Sequence, residues 1–407
     1  MIGVDTTSFF VIVLVSALAA VTVALFPGRV APPVVVLELV LGILIGPDVL
    51  GIADSDAFIG FFSNLGLGML FFFAGYEIDF ERIAGRPMTL GAWGWVLSVA
   101  LAYGIGGLLA AAGVVISFLY TGSAMATTAI GTLIPILRDA GETRTRFGTY
   151  LLAAGAAGEF FPILLITLVL SASQPLHEAM ILLAFIALAV AIALASVRLA
   201  VSGWKFLENT LEASNQLAVR ITVVLIFGLV AIASSLGLDI LLGGFVAGLI
   251  TRMSLKGHEV SVFESKLTAV GFGFLIPFFF VTSGIDFDLN ALLDSASALL
   301  KLPLFLALFL VVRGVPAVLL YRGVMGTRDR FALAFFCATE LPLVVAITTI
   351  AVEEGHMETT TSAALVGAAI ISTLVYPLIG LALRRGSAER EEPVEAVTPQ
   401  RPAQAAG

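Results

Sequence analysis

Long blocks of apolar residues, separated by short polar segments, fill most of this 407-residue chain. A helix that crosses a bilayer needs about 20 mostly apolar residues, and 13 blocks of roughly that length can be counted. Only helices and closed barrels satisfy their own backbone polar groups inside a bilayer, so the blocks are predicted to be helices. The predicted spans are residues 8–26, 32–50, 57–76, 88–111, 114–137, 147–171, 176–200, 216–236, 238–254, 262–284, 299–321, 330–352 and 359–383.

Composition and charge indicate that the spans cross a membrane and in which orientation. Hydrophobic residues make up 59% of the chain and charged residues 12%, whereas about 25% of residues in soluble domains are charged. With the N-terminus outside, 19 of the 21 Lys and Arg residues lie on the cytoplasmic side. The positive-inside rule therefore predicts a protein of the plasma (inner) membrane with its C-terminus in the cytoplasm. Residues 1–385 form the predicted transmembrane domain, and the polar residues 386–407 a disordered cytoplasmic tail.

The chain contains an internal repeat. FFFAGYEIDF at 71–80 matches FFFVTSGIDF at 278–287 without a gap, with six identities in ten positions. One copy ends the third span and the other ends the tenth, so the two copies run in opposite directions across the membrane. Inverted repeats are typical of secondary transporters, whose sites lie near the midplane where discontinuous helices meet. The predicted fold is therefore all-α, with inverted repeats at about 8–171 and 216–383 and a linker helix at 176–200.

The fifth and twelfth spans hold corresponding places in the two repeats, and both are interrupted in the middle. The fifth, TGSAMATTAIGTLIPIL, carries Thr127 and Thr128 ahead of a Gly and a Pro. The twelfth, FFCATELPLVVAITTI, carries Glu340 two residues before a Pro. Gly and Pro free backbone groups that need new partners. The sequence thus predicts two crossing broken helices whose ends line an ion site.

Charged side chains are predicted at the same depth as these hydroxyls. Glu159 lies in the otherwise apolar or small run LLAAGAAGEFFPILLITLVL, where an ionised carboxylate costs at least about 2.5 kcal/mol and usually marks an ion or proton pathway. Counted at about 1.5 Å per residue from the basic residues at the cytoplasmic ends, Glu159, Glu340, Arg313 and Thr128 all fall near the midplane. We therefore predict one ion- and proton-binding site, formed by Glu159, Thr127, Thr128 and Glu340.

Each of these residues also has a structural alternative. Glu159 could pair with Arg313 or cap a helix. For Arg313, charge balancing by pairing with Glu159 or Glu340 is favoured over substrate contact, because a fixed cation repels a transported one. Glu340 could equally cap a broken helix, and Thr hydroxyls in membranes more often serve helix packing. Glu38, near the inner end of the second span, either lines an access funnel or extends to the interface.

The chemistry that such a site supports is exchange. Burial disfavours the charged form of a carboxylate, and a desolvated Na⁺ or K⁺ competes with the proton for the same oxygens. A site that binds either ion and opens to one side at a time is an antiporter, with Glu159 as the ligand of the monovalent cation. The sequence has no Walker A, dinucleotide or metal-spaced Cys/His motif. We therefore predict no enzyme activity, no cofactor and no nucleic-acid partner, but a cation, a proton and the lipid bilayer.

Six segments resemble the monovalent cation:proton antiporter-2 family, the Kef-type and Na⁺(K⁺)/H⁺ exchangers. The resemblance covers nearly all of residues 8–383, and the segments follow in order on the expected spans. It implies a homodimer, a dimerisation (panel) domain, and a core domain that moves like an elevator and contains broken helices in spans 5 and 12. The segments are PPVVVLELVLGILIGP (32–47), LGLGMLFFFAGYEID (65–79), ATTAIGTLIPILRDAG (126–141), GEFFPILL (158–165), IPFFFVTSGIDFDL (276–289) and CATELPLVVAI (337–347).

The resemblance also implies roles for single residues. The family carries an acidic residue, usually Asp after Asp, Asn or Gln, on the sixth span, and here the pair reads Gly158-Glu159. One ionisable group at the pair favours electroneutral one-for-one exchange, and the choice between Na⁺ and K⁺ stays open because Gly supplies no ligand. Glu340 corresponds to a Glu on the second broken helix, and Arg313 to a basic residue that some relatives carry on the neighbouring span. The alternatives are a Kef-type K⁺ efflux channel-like protein, a non-transporting membrane sensor and an organic-anion symporter.

Overall fold

The structure is a computed structural model that describes residues 5–25, 33–78, 80–169, 180–195, 217–236, 240–254 and 260–385. Every regular element in these ranges is helical, as the apolar blocks predict. The first-half helices are α1 (Thr6–Leu25), α2 (Val34–Ile45), α3 (Ala57–Tyr76), α4 (Phe80–Ile83), α5 (Arg86–Ala111), α6 (Phe118–Met125), α7 (Ile130–Asp139), α8 (Arg146–Val169) and α9 (Met180–Ala195). The second-half helices are α10 (Leu217–Ser235), α11 (Ile240–Ser254), α12 (Val260–Val270), α13 (Ile276–Ile285), α14 (Leu289–Leu293), α15 (Ala296–Phe309), α16 (Val315–Leu320), α17 (Thr327–Cys337), α18 (Pro342–Glu353) and α19 (Thr359–Arg384).

Apolar helices stand at the positions of the predicted spans. Eight helices in the described ranges are long and apolar enough to cross a membrane by length and composition, and shorter apolar helices stand at the other predicted positions. The all-helical fold is thereby confirmed. The number of crossings and the domain boundaries stay predictions, although α9 falls within the predicted linker at 176–200. The predicted tail at 386–407 lies outside the described residues.

Two helix pairs join the two repeats, since α2 packs against α13 and α3 packs against α11. Gly42 and Gly284 lie at the first contact, and Gly75 and Gly248 at the second. A Cβ on any of these four glycines would overlap backbone atoms of the partner helix. Small residues let membrane helices approach closely and gain packing contacts. Because each pair contains one helix from each repeat, the two halves pack directly against each other in this group of helices.

A second group of helices contains both broken helices. In it α5 packs against α6 and α8, and α19 packs against α15 and α17. Turns of π-helix at Gly271–Leu275 and Leu310–Gly314 continue α12 into α13 and α15 into α16. The first group meets the second where α3 contacts α7 and α11 contacts α8. The candidate site lies in the second group, close to this boundary.

Several helix ends are tied together on one side of the bundle. Arg384, at the end of α19, donates to Glu142 in the turn between α7 and α8 at 3.0 Å and to Asp329 at the start of α17 at 2.8 Å. Arg82, in the short helix α4, donates to the Thr149 hydroxyl near the start of α8 at 3.1 Å. We call this side the basic face. Arg384 is only 1% exposed within α19, because two carboxylates hold it in the protein.

Candidate functional site

The two broken helices cross at their unwound segments. Residues 126–129 separate α6 from α7, and residues 338–341 separate α17 from α18. The backbone N–H of Ala129 in the first segment donates to the carbonyl of Thr339 in the second at 2.8 Å. The predicted crossing of the fifth and twelfth spans is therefore confirmed, and it is held by a main-chain hydrogen bond.

Proline and threonine keep these segments unwound. Pro342 begins α18, and the preceding residue, Leu341, leaves the helical conformation with φ of −157° and ψ of −67°. In the other segment the Thr127 hydroxyl donates to a carbonyl one turn earlier at 3.1 Å. The Thr128 hydroxyl donates to the carbonyl of Cys337, the last residue of α17, at 2.6 Å. These hydroxyls satisfy backbone groups that a continuous helix would have bonded.

Pro162 joins α8 to this crossing. A proline inside a helix has no N–H to donate to the carbonyl four residues earlier, which here belongs to Gly158. The Gly158 carbonyl instead accepts from the backbone N–H of Thr128 at 2.9 Å. One proline thus links α8 to the unwound segment, at the residue next to Glu159.

Glu159 is enclosed at the start of α7. The residue is 3% exposed, and its Oε2 atom has no hydrogen-bond partner among the described residues. Its Oε1 atom lies beside the backbone N–H of Gly131, 4.0 Å from where a Cβ on that glycine would be. The first N–H groups of a helix carry partial positive charge. This end of α7 therefore stabilises a carboxylate, and the free oxygen can take a proton or a cation.

Arg313 is buried beside the crossing, in the π-helical turn Leu310–Gly314. Its Nε and Nη2 atoms donate to the Thr128 hydroxyl at 2.9 and 2.7 Å. Its Nη1 atom donates to the Ser98 hydroxyl at 3.2 Å, and Nη2 also reaches the Ala154 carbonyl at 3.3 Å. The guanidinium is therefore held by neutral oxygens from α5, the first unwound segment and α8.

This arrangement corrects the pairing predicted for Arg313. In the described part of the chain it forms no ion pair with Glu159 or Glu340, because its nitrogens are bonded to neutral partners. Sequence reasoning also missed Ser98, which lies in an apolar span where no motif marks it. A charge-balancing role for Arg313 at longer range stays a prediction.

Glu340 is fixed by its main chain and left free at its side chain. Its N–H donates to the Ser372 hydroxyl at 3.1 Å, and its carbonyl accepts from the Ser372 and Thr373 hydroxyls, each at 3.2 Å. The residue is 0% exposed, and neither carboxylate oxygen has a hydrogen-bond partner among the described residues. The side chain therefore caps no helix in this structure, and Arg313 and Thr127 are the groups that face it.

Glu38 is the predicted site residue that lies away from the crossing. It is on α2, which packs against α1 and α13, and it is 2% exposed. Its role at an access funnel stays a prediction. The other predicted residues, by contrast, meet at or beside the crossing: Thr127, Thr128, Glu159, Arg313 and Glu340.

The donor atoms suit a monovalent cation. Free carboxylate oxygens stand beside hydroxyl and carbonyl oxygens of unwound backbone, which is how membrane transporters coordinate Na⁺ and related ions. Among the described residues, no group of three or more His, Cys, Asp or Glu side chains could hold a metal ion.

Two inverted halves with broken helices crossing beside a buried carboxylate define a membrane protein of the sodium/proton antiporter fold. The solved structure of the sodium proton antiporter MjNhaP1 from Methanocaldococcus jannaschii at pH 8 matches with a TM-score of 0.60 and 16% identity, covering 94% of this chain and 96% of that chain. At this identity the match shows the fold alone.

The chain belongs to the family described as "Sodium/hydrogen exchanger, transmembrane", which it matches over residues 13–382. YjbQ from Bacillus subtilis (strain 168) is 27% identical over 407 residues, which cover 95% of this chain and 64% of YjbQ. The Na(+)/H(+)-K(+) antiporter GerN from Bacillus cereus is 27% identical over 277 residues, which cover 65% of this chain and 68% of GerN. The family is named for ion exchange and not for an enzymatic reaction.

Proposed function

We propose that this chain is a monovalent cation/proton antiporter in which Glu159 binds a proton and Na⁺ or K⁺ in turn. Thr127, Thr128 and Glu340 complete the site, and Arg313 balances its charge. The observation that carries the proposal is the free Oε2 atom of Glu159, enclosed at the positive end of α7. No resident cofactor is needed, because the cation and the proton are the cargo.

Main-chain hydrogen bonds favour alternating access by movement of the site as a unit. The bonds from Ala129 to Thr339 and from Thr128 to Gly158 join both unwound segments and α8. A rigid movement of the second helix group would therefore carry Glu159 from one side to the other without taking the site apart. The glycine contacts α2–α13 and α3–α11 give the first group a rigid surface for that movement.

The charges at the crossing support one-for-one, electroneutral exchange. Arg313 is held by neutral oxygens and keeps its charge throughout the cycle, so Glu159 is the group that exchanges one positive ion for another. Glu340 is available as a second carboxylate, and its contribution would show as a dependence of transport on membrane potential. Transport driven by either cation should therefore run at the same rate whether or not a membrane potential is present.

The bonds of Arg313 disfavour organic-anion symport. An anion site needs free cationic donors, and here Nε, Nη1 and Nη2 are all bonded to protein oxygens. A K⁺ efflux channel-like protein with the same fold would conduct K⁺ without moving protons, so proton coupling separates it from an antiporter. A membrane sensor would move neither ion.

The wider assignments belong to the same proposal. We place the chain in the antiporter-2 branch of the family on the six segments given above. The basic face is the cytoplasmic side of the plasma (inner) membrane, which puts the N-terminus outside. The protein works as a homodimer, as the resemblance to that branch implies.

The test uses purified protein in proteoliposomes that contain a pH-sensitive dye. Na⁺ or K⁺ is added to wild type, to Glu159→Gln and to the control Glu353→Gln, an exposed acid at the end of α18. We expect cation-driven proton movement in wild type and the control and none in Glu159→Gln, because an amide cannot exchange its protons for a cation. The active cation in wild type also identifies the substrate.

Three results would contradict the proposal. K⁺ flux without proton movement in wild type would favour the channel, and no flux of either ion would favour the sensor. Full activity in Glu159→Gln would assign the exchange to another group, with Glu340 as the next carboxylate to replace.

A further inference from the structure

A narrow cavity lies between α3, α7 and α8, on the basic-face side of Glu159. Its volume suits about one water molecule, or one desolvated monovalent cation. Most of its wall is apolar, so an ion inside it depends on the polar groups at its ends. The lining residues are Ala74, Glu77, Ile78, Ile83, Ile130, Ile134, Leu152 and Ala156.

Glu159 stands beyond one end of this cavity. Ala156, in its wall, is one helical turn before Glu159 on α8. A Cβ on Gly131 would lie 4.0 Å from Oε1 of Glu159 and 3.9 Å from the Leu70 side chain of α3, so Leu70 is level with Glu159. Glu77 follows Leu70 by seven residues, about 10 Å along the chain toward the basic face. The cavity therefore separates Glu159 from Glu77.

Glu77 reaches both the surface and the cavity. It follows directly after the last residue of α3 and is partly exposed. Its Oε2 atom, however, is enclosed and has no hydrogen-bond partner among the described residues. A carboxylate with one enclosed oxygen on an apolar cavity is placed to replace part of the water shell of an entering cation.

The charged groups that face Glu77 come from three other helices. They are Arg138 of α7, Arg252 of α11 and Glu264 of α12, and Arg138 lies 3.6 Å from Glu264. Burial raises the pKa of Glu77 to about 8, while the two guanidinium groups lower it and Glu264 raises it. The carboxyl is therefore neutral below about pH 8 and charged above it.

We propose that Glu77 is a second ion-binding carboxylate, which receives the cation and the proton at the basic face and passes them through this cavity to Glu159. The inference rests on the proposed antiport at Glu159. Cation entry at this face should increase as the pH there rises through about 8, because the charged carboxylate attracts cations and the neutral one does not. At lower pH the neutral acid supplies its proton to Glu159 and is reprotonated from the surface.

The first test measures transport in vesicles in which the basic face of the protein points to the outer medium. Glu77→Gln is compared with wild type, with Glu77→Asp and with the charge-matched control Glu353→Gln. We expect Glu77→Gln to raise the apparent KM for the cation about tenfold, the lower end of what a charged cleft contributes, and to remove the rise in rate near pH 8. Glu77→Asp should raise the apparent KM less and should keep part of the rise in rate near pH 8. Glu353→Gln should behave as wild type.

The second test does not depend on antiport. Ala156→Cys places a thiol in the cavity wall, and Ag⁺, a monovalent cation that binds thiols, is added at the basic face. The thiol that has not reacted with Ag⁺ is titrated after denaturation. The value for protein that carries Cys337 alone is subtracted. We expect Ag⁺ to be captured about tenfold more slowly when Glu77→Gln is added.

The two tests separate the possible failures. Wild-type antiport with unchanged KM, pH profile and Ag⁺ capture in Glu77→Gln would overturn the role of Glu77 and leave Glu159 in place. Absence of antiport in wild type would overturn the proposed function, and with it the relay. Slower Ag⁺ capture together with a raised KM supports the inference.

Discussion

The guanidinium group of Arg313 occupies the space that a side chain on Gly158 would need. A Cβ built on Gly158 would overlap the Nη2 atom of Arg313 and lie 2.7 Å from the Thr128 hydroxyl oxygen. The resemblance to antiporters led us to expect a polar residue before Glu159. Here a cationic group from a neighbouring helix fills that place. The packing of Arg313 thus requires a glycine at position 158.

Gly158→Ala should destabilise the protein and slow transport. The added methyl group forces Arg313 and Thr128 to move, and overpacking of this kind costs about 1–3 kcal/mol. Thermal unfolding in detergent measures the first effect, and cation-driven proton movement the second. Gly60→Ala is the matched control, because nothing lies within 4 Å of a Cβ at this helical position. If both variants behaved alike, Arg313 would not require the glycine.

Thr128→Val should reduce both stability and transport, whereas Thr128→Ser should keep most of each. The hydroxyl accepts two N–H groups of Arg313 and donates to the Cys337 carbonyl. Valine has a similar shape without the hydroxyl and leaves these groups unpaired, at a cost of about 1.5–3 kcal/mol for a bond to a charged group. Unfolding temperature and transport rate are measured for both variants. Wild-type values in Thr128→Val would show that Arg313 is held by its other partners.

Pro162→Ala should slow transport without unfolding the protein. Alanine supplies an N–H at position 162, which competes with the Thr128 N–H for the Gly158 carbonyl. Helix propensity favours alanine by about 3 kcal/mol, so the unfolding temperature should stay the same or rise while the rate falls. Pro303→Ala, in the interior of α15, is the control with no expected effect on rate. An unchanged rate in Pro162→Ala would make the Thr128–Gly158 bond dispensable for transport.

Arg384→Ala should be strongly destabilising, whereas Arg385→Ala should not. The first change leaves Glu142 buried without its partner, and breaking a buried pair in this way costs about 3–5 kcal/mol. It also removes the guanidinium that lies 4.3 Å from the centroid of the Phe147 ring. Arg385 is the adjacent, exposed arginine and serves as the control. Unfolding temperatures of the two variants, measured in the same detergent, decide the prediction.

The sequence predicted helices at the apolar blocks and two broken helices, and the all-helical fold with its crossing is confirmed. It also placed Glu159, Glu340, Thr128 and Arg313 at one depth, because hydrophobic length and rise per residue give the depth of each residue along its helix. Depth does not give the direction in which a side chain points around the helix. The pairing of Arg313 with an acid was therefore wrong, although all three charged groups lie at the crossing.

Other differences come from contacts that no local pattern shows. Gly131 and Pro135 were expected to interrupt the fifth span, but both lie inside α7, and the break falls earlier at residues 126–129. Hydroxyl and main-chain bonds to distant helices keep that segment unwound, so its position depends on tertiary partners. Arg384 and Glu142 are likewise separated along the chain and meet only in the folded protein.

Bonds between main-chain atoms set the width of the gap in which Glu159 meets the crossing. Such a gap selects ions by their radius, because the backbone oxygens around it cannot move as freely as oxygens on flexible side chains. A change of preference between Na⁺ and K⁺ should therefore follow from substitutions that shift the backbone, such as those at Pro162, more readily than from replacing one oxygen ligand by another. In this protein, ion selectivity would depend on the backbone geometry at the crossing.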